Sequence, residues 1–376
     1  MEAHKWGTRA IFSVALPLLV LPACGSDGPS TSAKTTNTIV AKGSTSETTQ
    51  VWRGTRGLKD VWVAITCDGG MRLTVLAASD GKSVAETTIT FPDGATPTYD
   101  CGANPYYLRQ IFDQNFTRVA VKILKLDEGA SHIGYIDIST GRLIDLDVSS
   151  PTSFNTAPQH ENPVFEPHSE QIWFHDRTNP QNEAILHIDP SGGPAAQSGY
   201  EIRSFEYSKF AVGTRYVMPF NGDDGGAIPS PDGSLLARLS FVPGDFRKRL
   251  NIAKTPWSKD PQAIANAYRD LGEPITWIDD THVLAYADSS SMQSPQASAF
   301  AVVTLNAEGT HVLSVERLLQ NNDRRNFSPV VSPDHKRISF LSGRGADVGV
   351  YLSLFPPDGQ VRRIAASSVG ELLAWI

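Results

Sequence analysis

Short apolar runs that alternate with polar residues fill the chain from Val51 onward, and Gly, Pro, Asp, Asn or Ser breaks them every several residues. Residues 61–66, 118–123, 132–138, 171–174 and 184–188 have this form, as do 283–286, 301–305, 337–341 and 348–354. Their β-branched content, their length and the turn residues between them predict strands. A helical apolar period is scarce, and residues 261–270 are the best place for a turn or two of helix. The pattern predicts an all-β chain.

A longer period lies above the strands. Ser230-Pro231-Asp232-Gly233 and Ser332-Pro333-Asp334-His335 each follow an apolar strand, make a tight polar turn and enter a second strand. Looser copies of the frame surround Asn115, His168 and Asp280. The turn positions Asn115, His168, Asp232, Asp280 and Asp334 are separated by 53, 64, 48 and 54 residues, a spacing that suits a four-stranded propeller blade. The turn itself accounts for these residues: Pro sets φ, Asp accepts from nearby amides and Gly takes positive φ. The chain ends Glu371-Leu372-Leu373-Ala374-Trp375-Ile376, similar to Pro274-Ile275-Thr276-Trp277-Ile278, where an innermost strand should end. The body starts at Lys59-Asp60-Val61-Trp62 with the second strand of a blade that lacks its first. The two ends are expected to complete one blade, which gives six blades and closes the ring. The excess before Asp232 is expected to be an insertion at residues 200–224. The Ser-Pro-Asp-Gly frame resembles the repeat of TolB-type and other WD40-like bacterial propellers over residues 51–376. The resemblance implies a six-bladed β-propeller and, by analogy with TolB, binding without catalysis. It specifies function poorly.

The first fifty residues have a different texture. Lys5 and Arg9 precede an apolar run from Ala10 to Val20, too short to span a membrane as a helix, and Leu21-Pro22-Ala23-Cys24 follows. The small residue before Cys24 resembles the lipobox of bacterial lipoproteins. That resemblance implies cleavage after Ala23, lipidation of Cys24 and anchoring to a bacterial membrane, facing periplasm or exterior, with about 0.8 kcal/mol contributed by each buried methylene. An ordinary signal peptide with an incidental cysteine is the alternative. Residues 25–50 are rich in Ser, Thr, Gly and Ala and read as a flexible tether. The expected organisation is therefore a signal at 1–23, lipidated Cys24 with a tether through 50, and a propeller at 51–376. With Cys24 reserved for lipid, Cys67 and Cys101 are expected to form a disulfide within the first blade, favoured in an oxidising compartment; two buried thiols are the alternative.

The 376 residues carry a formal charge of -7, which becomes -8 when the segment holding Glu2, Lys5 and Arg9 is removed. Without a clustered basic face, nucleic acid is not expected as a partner. No nucleophile elbow, Walker loop, zincin motif or dinucleotide fingerprint occurs, and no cofactor is expected. His160, His168, His175 and His187 cluster in sequence, but scattered surface or core histidines are the simpler expectation, and no metal is assigned. Residues 221–226 are oxygen-rich yet lack calcium-loop spacing. Propellers usually bind at one end of the channel, on loops that enter innermost strands or join second to third strands. Those loops supply the candidate binding rim: Tyr106, Tyr107, Arg109, His160, Glu161, His175, Asp176, Arg177, Arg247, Arg249, Asp323, Arg324 and Arg344. The expected function is a non-catalytic protein- or ligand-binding or scaffold module of the cell envelope. A carboxylate-based hydrolase or lyase acting on an envelope glycan or peptide is the alternative, and it requires acids clustered at the channel mouth.

Overall fold

The computed structural model describes residues 51–146, 157–179, 183–198, 209–214, 217–220, 227–242, 245–254, 271–287, 299–309, 311–319, 324–344, 346–354, 361–367 and 369–376. All lie in the second of two units, Gln50–Ile376. The signal and tether readings, the helix expected at 261–270 and the loop 221–226 fall outside the described residues.

The chain forms a six-bladed β-propeller of antiparallel sheets. The first blade contains β1 (Val61–Cys67), β2 (Met71–Ala77) and β3 (Ser83–Ile89). The second contains β4 (Ala95–Thr96), β5 (Arg118–Lys125), β6 (Ala130–Asp137) and β7 (Arg142–Asp145), with a short helix α1 (Pro105–Arg109) between β4 and β5. The third contains β8 (His160–Phe165), β9 (Ile172–Asp176), β10 (Ala184–Ile188) and β11 (Ala196–Gln197). A separate hairpin follows, β12 (Lys209–Val212) and β13 (Val217–Phe220). The fourth blade contains β14 (Ala227–Pro229), β15 (Leu235–Val242) and β16 (Asp245–Lys254). The fifth contains β17 (Leu271–Trp277), β18 (His282–Ala287), β19 (Ala299–Leu305) and β20 (Val312–Leu318). The sixth contains β21 (Arg325–Val331), β22 (Arg337–Arg344), β23 (Asp347–Leu354) and β24 (Val361–Ala366). The last strand, β25 (Glu371–Trp375), returns to β1.

Period-two alternation explains why blades stack on both faces. In β1, Val63 and Ile65 join the core shared with the second blade, whereas Trp62 and Ala64 join the core shared with the sixth. In β18, Val283, Ala285 and Ala287 face one core and Leu284 and Tyr286 another. The turns follow the predicted chemistry. The Ser230 hydroxyl accepts from Leu235 N at 3.0 Å, Asp232 accepts from Ser234 N at 2.8 Å, and Gly233 has φ +71°. His335 takes the glycine's place in the sixth blade at φ +59°.

Ring closure occurs as the ends of the chain suggest. β25 pairs antiparallel with β1, Trp62 opposite Trp375 and Ile65 opposite Glu371. Backbone bonds between Val61 and Ile376 extend the pairing in both directions, at 3.0 and 2.9 Å. The Trp62 and Trp375 rings meet edge to face at 5.5 Å. Asp60 accepts from Trp375 Nε1 and from Arg337 of the sixth blade, each at 3.0 Å.

Three details differ from or refine the sequence reading. The second blade does not have a full innermost strand before Asn115, because Asn104 caps α1 by accepting from Tyr106 N at 3.0 Å and Pro105 starts the helix. Cys67 and Cys101 are joined, but Cys101 lies in the second blade, between β4 and α1, and not in the first-blade sheet. The expected insertion contains the hairpin β12–β13, whose Thr214 hydroxyl donates to Pro231 O of the next blade's turn at 2.8 Å. Replacing Trp375 with Ala is expected to cost about 3–5 kcal/mol, read as a lowered denaturant midpoint in chemical unfolding. An unchanged midpoint would contradict the role assigned to the closing strand.

Candidate functional site

The innermost strands start at one end of the ring, the upper face. The Asp-containing turns gather at the other. The upper channel mouth is filled by the protein's own segment from Thr98 to Gln110. Tyr107 and Leu108 are 0% exposed, Tyr99 1% and Gln110 3%, so these residues are core, whereas Asp100 and Gly102 are exposed and Tyr106 and Arg109 half-buried.

Its polar side chains bond to backbone around the ring. The Thr98 hydroxyl donates to Pro163 O of the third blade at 2.7 Å. Tyr99 donates to Phe210 O of the hairpin at 2.6 Å. The Gln110 amide makes a two-point pair with Val212, donating to its carbonyl at 2.9 Å and accepting from its N–H at 2.8 Å. Tyr107 Oη donates to Ala227 O at 2.9 Å and accepts from Ala227 N at 2.8 Å. Asn104 donates to Glu273 Oε1 at 2.9 Å and to Pro274 O at 3.1 Å in the fifth blade. Gly102 N donates to Glu371 Oε1 of β25 at 3.1 Å.

The innermost strands are shaped for this contact. β8, β17 and β21 break register around Asn162-Pro163, Glu273-Pro274 and Ser328-Pro329. Proline is tolerated on such a channel-facing edge because its missing N–H is not required by the ladder. Two of the bulge carbonyls, Pro163 O and Pro274 O, are those the segment bonds.

Burial governs the chemistry of the mouth. It pushes the Tyr99 and Tyr107 hydroxyls well above the usual tyrosine range, so both remain protonated donors. It also raises the Glu371 carboxyl, against the Gly102 N–H and the Arg325 charge, which favour ionisation. Glu371 Oε2 is buried without a hydrogen-bond partner.

The expected rim residues fall into separate groups. Tyr106, Tyr107 and Arg109 belong to the channel segment, where the Arg109 guanidinium lies 4.1 Å from the Phe116 ring and donates to Phe112 O at 2.9 Å. His160, Glu161, His175, Asp176 and Arg177 come together on the third blade. Glu161 bridges Lys122 at 3.2 Å and Arg177 at 3.4 Å. Arg177 also meets Glu183 at 3.4 Å, and Glu183 meets His175 Nε2 at 2.9 Å. His160 faces Asp176 at 3.6 Å. Burial lowers the His175 pKa although Glu183 pulls it upward. Arg324 and Arg344 lie on the sixth blade. Arg247 and Arg249 fall on β16, and Asp323 is outside the described residues. His168 lies on the lower face near Thr214, and His187 stacks on Trp173 at 5.3 Å. Among the described residues, no three metal-ligating side chains converge.

The sequence reading missed Asn104, Lys122, Glu183, Glu273 and Glu371. All but one carry no local signal, because their partners are distant in sequence. Asn104 had one, the Asn-Pro pair that starts a helix.

No protein-family model and no curated protein matches the chain. Solved propellers are similar in fold. A TolB protein of Agrobacterium tumefaciens is 13% identical over 84% of this chain and 93% of its own, with TM-score 0.39. An oligogalacturonate lyase of Vibrio parahaemolyticus is 12% identical over 82% and 74%, with TM-score 0.42. An acylaminoacyl peptidase of Pyrococcus horikoshii is 10% identical over 82% and 46%, with TM-score 0.39.

A group whose folded pKa is raised above its unfolded value lowers stability as pH rises from the unfolded pKa through the folded one. Glu371→Gln retains an acceptor for Gly102 and removes this ionisation. The variant is therefore expected to melt above the parent at pH 7, with the gap closing toward pH 4. A pH-independent difference would contradict the buried-carboxyl assignment.

Proposed function

We propose that this chain is an exported, lipid-anchored lipoprotein whose propeller is a non-catalytic binding or scaffold module of the bacterial cell envelope. The observation that carries the binding part is the filling of the channel mouth by residues 98–110. It leaves the charged upper rim, above all the third-blade group around Glu161 and Arg177, as the surface that meets a partner. The anchor rests on the signal-like residues 1–23, Cys24 and the polar tether.

A second reading, a carboxylate-based hydrolase or lyase, has one observation in its favour. Glu273 and Glu371 both lie at the mouth, and burial raises the Glu371 pKa. Both carboxylates are bonded to the filling segment, through Asn104 and Gly102, which favours a positioning role for them.

One experiment addresses the anchored binder. A photo-crosslinking residue is placed at Arg177 on the upper rim or at Lys336 on the lower face, in parent and Cys24→Ser backgrounds expressed in a bacterial host. The parent is expected in the detergent phase with a discrete crosslinked product from Arg177 alone. The serine variant is expected in the aqueous phase. Equal partition of the two backgrounds would overturn the anchor, and indistinguishable products from the two positions would overturn the rim.

A further inference from the structure

We infer that the upper channel mouth beside the sixth blade holds a binding site for a neutral, hydroxyl-rich small molecule, a sugar. The residues from Thr98 to Gln110 donate hydrogen bonds to the third, fourth and fifth blades, to the inserted hairpin and, through Gly102, to β25. Among the described residues, none of these donors reaches β21. The bulges at Pro163 and Pro274 give their carbonyls to the segment, and the bulge at Ser328-Pro329 does not.

Unpartnered polar atoms collect on that side. Tyr286 Oη of the fifth blade, Ser328 Oγ of the sixth and Glu371 Oε2 of β25 are buried without a hydrogen-bond partner. Tyr286 is 1% exposed and Ser328 0%. The groups are neighbours. Burial, aided by the Glu273 and Glu371 charges, holds the Tyr286 hydroxyl protonated against the Arg325 charge and the Ser328 N–H. That N–H is a donor, so the tyrosine's own proton still lacks an acceptor. Ser328 has φ +47°, and a non-glycine residue held there stores strain of the kind that binding sites retain.

The chemistry selects the ligand. A ligand hydroxyl relieves two such groups at once, by donating to one and accepting from the other. An anion meets the Glu273 and Glu371 carboxyls, and a cation meets the Arg325 charge. A zwitterion needs a free charge of each sign, but Glu273 accepts from Asn104 at 2.9 Å and the Arg325 guanidinium stacks on Phe327 at 5.1 Å. A sugar brings several hydroxyls and no charge. Glu273, Arg325 and Glu371 are half-buried, so solvent reaches the edge of the site from the upper face.

Saturation-transfer NMR tests the site on the full chain, in a neutral detergent without a sugar headgroup. The probes are glucose, galactose, mannose and N-acetylglucosamine, with glucuronate, glucosamine and free alanine as charged comparisons. At least one neutral sugar is expected to bind, and more tightly than any charged comparison. Its affinity is expected to fall about tenfold or more in Tyr286→Phe and in Ser328→Gly. Both variants remove an unpartnered hydroxyl, and glycine accepts the positive φ, so without sugar both should melt at or above the parent. The proposal is overturned if none of the four neutral sugars binds, the result that water alone at these groups predicts. Tighter binding of a charged comparison also overturns it, as does an unchanged sugar affinity in both variants. So does a lowered melting temperature in both, which means that the protein already pairs these hydroxyls. The Cys24 and Arg177 measurement involves none of these residues, so the two readings fail separately.

Discussion

The fold depends on how the innermost strand edges are satisfied. A ring of sheets presents backbone donors and acceptors toward its own axis, and buried groups of that kind cost about 1–3 kcal/mol each when unpaired. Here the chain supplies the partners from one segment. The Tyr107 hydroxyl serves both backbone groups of Ala227, and the Gln110 amide serves both groups of Val212. Each acts as a short piece of strand made from a side chain. The innermost strand of the second blade is cut short at β4, and the segment from Thr98 to Gln110 that follows it, helix α1 included, bonds to the first, third, fourth and fifth blades and to the inserted hairpin.

This arrangement ties the closure and the centre together. β25 completes the first blade through β1, and its Glu371 also receives Gly102 of the central segment. Cys67, at the end of β1, is joined to Cys101 in that same segment. One strand pair therefore closes the ring at its circumference while the chain between Thr98 and Gln110 holds it from within. The lower face adds links between neighbouring blades, such as Asp232 N to Asp280 Oδ1 at 2.8 Å and Arg337 to Asp60 at 3.0 Å.

Much of the architecture was legible because it rests on short-range rules. Alternation marks β1 and β18 as two-faced strands, and Ser-Pro-Asp-Gly marks the turns at Asp232 and Asp334. The match between the C-terminal residues 371–376 and residues 274–278 revealed closure. The site was less legible. Tyr106, Tyr107 and Arg109 read as rim because a loop is expected before an innermost strand, yet Asn104 and Pro105 start a helix there. No local pattern announces that Tyr107 will meet Ala227, 120 residues away. The third-blade group was half visible: His160, Glu161, His175, Asp176 and Arg177 could be named, but Lys122 and Glu183 join them only through blade packing.

The central claim is that residues 98–110 are the permanent hub of the ring. Native-state amide exchange tests it most directly, because opening energies separate local from global events. The amides of Val212 and Ala227, which donate to side chains of the hub, are predicted to exchange in the same slowest class as Val63 and Ile65 of β1. Exchange of Val212 and Ala227 through a low-energy local opening, while β1 stays protected, would contradict the account.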